Sequence, residues 1–108
     1  MRTSFIAGNW KMFKTVAETV KYVKEFRNLV KDIDDVEIVL APPFTALHAA
    51  AEAARNSHVC IAAQDLHWER EGAFTGEISA RAARRSRCSI GRSATAWIAS
   101  HPISSRSW

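Results

Sequence analysis

Short continuous apolar runs alternate along this chain with longer stretches in which apolar residues recur every three or four positions, the two patterns that separate buried strands from amphipathic helices. Phe5-Ile6-Ala7 opens the series, and Ser4 to Ala7 is predicted as a short strand, with Gly8 supplying backbone freedom where the chain turns. Thr15 and Glu18 have the form of a capping box, in which hydroxyl and carboxylate reciprocally satisfy free backbone amides. Val16, Val20, Val23, Phe26 and Val30 follow at helical spacing, while Lys21, Lys24, Glu25 and Arg27 occupy other faces, so a helix is predicted over Val16 to Lys31. Asp32-Ile33-Asp34-Asp35 then ends it as a solvated loop.

Val36 to Ala41 is a β-branched run stopped by Pro42-Pro43 and reads as a second, mostly buried strand. The alanine-rich stretch Thr45 to Arg55 is a good helix former ending near Asn56, and Val59 to Ala63 is a third apolar run. The order β-α-β-α-β with apolar strands predicts a parallel sheet with right-handed crossovers. Gln64 to Glu77 is rich in charge and glycine and too long for a routine connection, which marks it as functional or as an interface.

At 108 residues the chain suits one modest domain, and 47% apolar with 24% charged residues is the composition of a soluble globular protein. No apolar stretch approaches the roughly 18 residues of a membrane span, and the first apolar segment is too short for a secretory signal before Lys11 interrupts it. A cytoplasmic address is the default expectation. Cys60 and Cys88 form no Cys-x-x-Cys and are expected as free thiols. His48, His58, His67 and His101 lack zinc-type spacing, so no metal is expected.

The net charge of +4 averages two unlike pieces. Residues 1–80 hold nine Lys and Arg against eleven Asp and Glu, whereas residues 81–108 hold six Arg, seven Ser and no acid. The expected organisation is therefore an α/β part over 1–80 and an Arg/Ser-rich tail over 81–108.

Candidate chemistry starts at Ala7-Gly8-Asn9-Trp10-Lys11-Met12, which places an amide and an ammonium two residues apart where the first strand stops. Alone, this reads more readily as a solvated lysine beside an ordinary buried tryptophan. Three further segments follow it: Ala41-Pro42-Pro43-Phe44, Ala63-Gln64-Asp65 and Gly72-Ala73-Phe74-Thr75-Gly76-Glu77-Ile78-Ser79. In that order and spacing, the four segments together closely resemble the first third of triosephosphate isomerase, over residues 1–80.

The resemblance implies a partial TIM (β/α)8 barrel of about three βα units out of eight, followed by a tail that does not match. It also implies interconversion of dihydroxyacetone phosphate and glyceraldehyde 3-phosphate without a cofactor, in glycolysis and gluconeogenesis, by a homodimer. Asn9 and Lys11 match positions that contact the triose phosphate, and a fixed ammonium and amide donor suit the negative charge of an enediolate. Lys11 would act electrostatically. Thr75 matches the tip of a loop that reaches the partner subunit, and Gln64 and Glu77 match positions in or near that interface. This enzyme is the type case of a glutamate base paired with a neutral imidazole, so that pairing comes with the family and not from these residues. In the family the imidazole lies in an Ile-Gly-His-Ser-Glu-Arg motif; here Ile90-Gly91-Arg92-Ser93 offers an arginine, which stays protonated and cannot replace it. His101 lacks the motif, and nothing in the 108 residues replaces the base or the glycine-rich phosphate loops. The isolated chain is expected to be an inactive fragment, and a marginal or aggregation-prone one.

Three readings compete for the tail. The preferred one is a frame slip or splice near codon 80, consistent with the abrupt loss of lysine and acids. A second is a nucleic-acid or acidic-partner segment in which Arg81, Arg84, Arg85, Arg87 and Arg92 contact phosphates and Trp97 and Trp108 stack on bases, disfavoured because no nucleic-acid module surrounds them. A third is a divergent fourth unit with Arg81 to Arg87 helical and Ala94 to Ala99 as a weak strand. A non-catalytic role is the rival to the enzyme reading, with the Gln64 to Glu77 loop engaging an intact isomerase subunit.

Overall fold

The computed structural model describes residues 4–85. It contains three parallel strands, β1 (Ser4–Asn9), β2 (Val36–Ala41) and β3 (Val59–Ile61), in the spatial order β1-β2-β3. Helix α1 (Val16–Leu29) connects β1 to β2, and a 3-10 turn (Phe44–Ala46) running into α2 (Leu47–Ala53) connects β2 to β3. A short α3 (Ala80–Arg85) follows the long loop. This is the parallel α/β arrangement that the alternating pattern predicts, and it fits a partial barrel of that type.

β2 is buried on both faces because it is the middle strand. Ile38 and Leu40 point into the helix-covered core with Val23, Val30, Leu47, Ala50, Val59 and Ile61, whereas Val39 and Ala41 form a second cluster with Ala62 and the partly buried Phe5 and Cys60. This double burial explains why β2 reads as a continuous apolar run and not as an alternating one. β1 is far more exposed, with Ile6 at 61%.

Several boundaries shift for local reasons. β1 runs two residues beyond its apolar run because Gly8 and Asn9 still pair with Leu40 and Ala41. α1 begins where the capping box places it: Thr15 Oγ1 accepts from the Glu18 amide at 3.3 Å, and the Glu18 carboxylate accepts from the Thr15 amide at 3.3 Å and hydroxyl at 2.9 Å. That bonding lowers the Glu18 pKa, first through the Thr15 side chain and then through its backbone. The helix stops at Leu29, two residues before the predicted Lys31, with Val30 as its C-cap. The stretch from Thr45 opens as a 3-10 turn, and α2 ends at Ala53. β3 stops at Ile61, although the Ala62 amide still donates to the Leu40 carbonyl at 2.9 Å.

Arg27 ties the two main helices together. Its guanidinium donates to the carbonyls of Ala53 at 2.9 Å, Arg55 at 2.8 Å and Asn56 at 3.4 Å, occupying acceptors left free at the end of α2. The third reading of the tail makes Arg81 to Arg87 helical, and α3 covers that stretch as far as Arg85, the last described residue. Cys88, Ile90 to Ser93, Ala94 to Ala99, Trp97, His101 and Trp108 lie outside the described residues. No described helix is long and apolar enough to cross a membrane.

Candidate substrate-binding strand ends

Register brings Asn9 and Ala41 side by side, so β1 and β2 end together at one edge of the sheet. Beyond that edge the chain folds back tightly: the Trp10 amide donates to the Ala41 carbonyl at 3.0 Å, and the Phe13 amide to the Trp10 carbonyl at 3.0 Å. Lys11 occupies the left-handed region at φ 54°, as does Lys14 at φ 75°. Neither is a glycine, so the conformation carries a steric cost that other contacts must offset.

Two amides hold this turn. Asn9 Oδ1 accepts from the Lys11 backbone N–H at 2.8 Å, a local bond across two residues. Gln64, just past β3, donates from Nε2 to the carbonyls of Lys11 and Ala41, each at 2.8 Å. Asn9, Lys11 and Gln64 are thus gathered at the C-terminal ends of the strands, where functional groups of parallel α/β folds collect. Trp10 packs edge-on against Tyr22 of α1 at 4.9 Å, and Tyr22 stacks on Phe26 at 5.6 Å. The Lys14 ammonium lies 5.7 Å from the Trp10 ring and 5.1 Å from Tyr22, so the Lys14 cation is held by aromatic faces while Lys11 stays exposed.

Thr75 and Glu77 lie elsewhere, on the exposed loop. The Glu77 amide donates to the Phe74 carbonyl at 3.1 Å, and Gly76 has φ 83°, which is a type II turn with glycine at its third position and Thr75 at its second. The loop is pinned at its base by the His67 amide donating to the Ile78 carbonyl at 2.7 Å, and the His67 ring stacks between Trp68 at 4.3 Å and Phe74 at 4.2 Å. Glu77 has its pKa raised, first by its side-chain hydrogen bond to Asp65 and then by the charge of Asp65. An open cleft of about 270 Å³ under this loop is lined by Phe44, His67, Arg70, Phe74 and Ile78 among others, and not by Asn9 or Lys11. Cys60 is half-buried, and burial, with the Glu37 charge, pushes its thiol pKa up. Among the described residues no group of three or more His, Cys, Asp or Glu side chains is placed to hold a metal ion.

The geometry that the residue pattern does not show is Gln64 reaching the Lys11 carbonyl. The available signal was its position immediately after an apolar run, as Asn9 follows the apolar run of β1 at that strand's last position.

The family model for triosephosphate isomerase matches residues 4–91, most of the chain. This chain belongs to the triosephosphate isomerase family. A triosephosphate isomerase of Trichlorobacter lovleyi is 53% identical over 89 residues, covering 82% of this chain and 36% of that protein. One from Alkaliphilus metalliredigens is 55% identical over 80 residues (74% and 32%), and one from Dictyoglomus thermophilum 49% over 79 residues (73% and 32%). The chain therefore spans about a third of the length of the curated relatives it matches. The family match extends past Ala80, where the charge pattern changes, to residue 91.

Proposed function

We propose that this chain carries the substrate-gripping part of a triose phosphate isomerase site and, as an isolated 108-residue molecule, does not turn substrate over. The observation that carries this reading is the pairing of Asn9 and Lys11 at the end of β1, with the Lys11 backbone fixed through Asn9 and Gln64. Because Asn9 Oδ1 accepts from the backbone, the NH2 end of that amide is the one turned to a ligand oxygen. The Lys11 ammonium supplies a full positive charge two residues away. An amide donor and a cation together suit a sugar phosphate whose carbonyl oxygen gains negative charge as an enediolate forms.

Proton transfer needs more than this. A base must take the proton from the hydroxyl-bearing carbon, and an acid must serve the neighbouring oxygen. Neither role has a matching residue in the 108 positions, where Arg92 stands in the place that resembles the family's imidazole. The proposed partner surface is the Gln64 to Glu77 loop, with Thr75 near its tip and Gln64 and Glu77 at or near the contact with a second subunit, in a cytoplasmic setting. No metal or organic cofactor enters the reaction.

A coupled assay on chain purified from a host lacking its own isomerase tests the proposal. The expected result is no turnover above buffer, together with dihydroxyacetone phosphate shifting the Asn9 side-chain amide resonances in the wild type and not in Lys11→Met. Turnover above buffer contradicts the inactivity; equal ligand response in the two proteins contradicts the role of Lys11.

A further inference from the structure

We infer that residues 86–108, the arginine-bearing end of this same chain, dock onto the cleft under the Gln64 to Glu77 loop, with guanidinium groups set against its carboxylates and apolar side chains against its aromatic lining. The cleft, about 270 Å³, takes its apolar lining from Phe44, Phe74 and Ile78, and both phenylalanines are exposed. Glu69, Glu71 and Glu77 line it as well, three carboxyl groups against the single guanidinium of Arg70. No ion pair links Glu69 or Glu71 to another described residue. The Asp65 carboxyl lies against Glu77 and raises its pKa, through a side-chain hydrogen bond first and its charge second, so acid is in excess on this side of the described structure.

The complementary charges are in the chain itself. Residues 86–108 hold Arg87, Arg92 and Arg106 with no Asp or Glu, together with the apolar Ile90, Trp97, Ile98 and Trp108. Where this segment starts favours it over a separate molecule. Ser79 and Ala82 line the cleft, and Ala82 belongs to α3, whose last residue is Arg85. The segment therefore leaves the described structure within about one helical turn of the cleft. An occupant tethered there meets the cleft at high effective concentration, and a short connecting loop costs little closure entropy. A guanidinium beside Glu69 or Glu71 forms a charge-assisted pair with matched fork geometry, and its flat face suits the rings of Phe44 and Phe74. Exposed ion pairs are individually weak, so occupancy depends on several charges acting together with the apolar cover.

The test is a pulsed electron-electron distance measurement on the full chain, spin-labelled at Ala73→Cys and Ser105→Cys in a background of Cys60→Ala and Cys88→Ala. Excess unlabelled chain is added so that only separations within one molecule are read. The expected result is a short, well-defined separation, lost on adding Glu69→Gln with Glu71→Gln. It is lost equally on adding Arg87→Gln, Arg92→Gln and Arg106→Gln, a set that alters no described residue. A separation that is broad before any charge is removed, or short and unchanged in either set, overturns the inference. A short separation that disappears when unlabelled chain is added also overturns it, because the occupant is then a second copy. A second measurement leaves both cysteines in place: the Gly72 and Phe74 amide resonances are expected to shift between wild type and the three-arginine variant, while those of Lys21 and Lys24 on α1 stay fixed. Unchanged Gly72 and Phe74 resonances overturn the docking whatever the labelled chain shows.

Discussion

Lys11 shows how a residue acquires chemical meaning from its backbone. As an exposed lysine it is unremarkable, yet its N–H and carbonyl are both taken by side-chain amides, and its φ of 54° is one that few lysines adopt. Glu77 behaves differently, because its neighbour is another carboxyl. Its protonated form donates to Asp65, and the Asp65 charge opposes its ionisation, so its folded-state pKa lies above its unfolded value. The sign follows from linkage: the interaction stabilises the fold fully below the unfolded pKa of Glu77 and is lost as pH rises through the higher folded one. Asp65→Asn is expected to lower the Glu77 titration midpoint toward the ordinary carboxylate range when side-chain carboxyl resonances are followed against pH. An unchanged midpoint would show that Asp65 is not the cause. At this scale the sequence was partly legible. Asn9 and Lys11 stand two apart in a short motif, but the Gln64 bond spans fifty-three positions and depends on strand register, which no local pattern encodes.

Among the elements, α1 was the most readable because its signals are local. Thr15 and Glu18 fix its start, and Val20, Val23, Phe26 and Val30 face the core, where Val23 is fully buried, while Val16 in the first turn is exposed. Its end was less readable: Leu29 is 81% exposed, so an apolar residue there does not mean burial, and Val30 acts as the cap. β1 was underestimated because Gly8 and Asn9 are not apolar, although both are paired. The α2 terminus depends on Arg27, a residue on another helix. Arg27→Met removes charged donors from three carbonyls, two of them exposed enough for water to replace part of the loss, so we expect a cost of about 1–2 kcal/mol. Amide exchange at Ala54 and Ser57, whose N–H groups donate to Ala50 and Ala54, should then accelerate roughly five- to thirty-fold while β2 is unaffected. Equal acceleration in β2 would instead make Arg27 a global stability residue.

For the molecule as a whole, the described residues form a three-stranded parallel sheet in which β1 is an outer strand with little cover. Met12 is 89% exposed and Trp68 86%, and Phe13, Phe44 and Ile6 add apolar surface near the strand ends and the outer strand. Parallel sheets are ordinarily covered on both faces, and the relatives are about three times as long as the matched segment. Concentration-dependent association is the expected outcome in sedimentation velocity; a monodisperse monomer with a cooperative thermal transition would contradict it. The functional account makes the most demanding statement, that grip and proton transfer are separable in this chain. Dihydroxyacetone phosphate incubated with the pure chain in D2O and followed by proton NMR tests both halves in one sample. The account predicts a shift of the Lys11 resonances with no deuterium entering the hydroxymethyl carbon faster than in buffer. Accelerated deuterium entry, or ligand addition that leaves Lys11 unmoved, would contradict it.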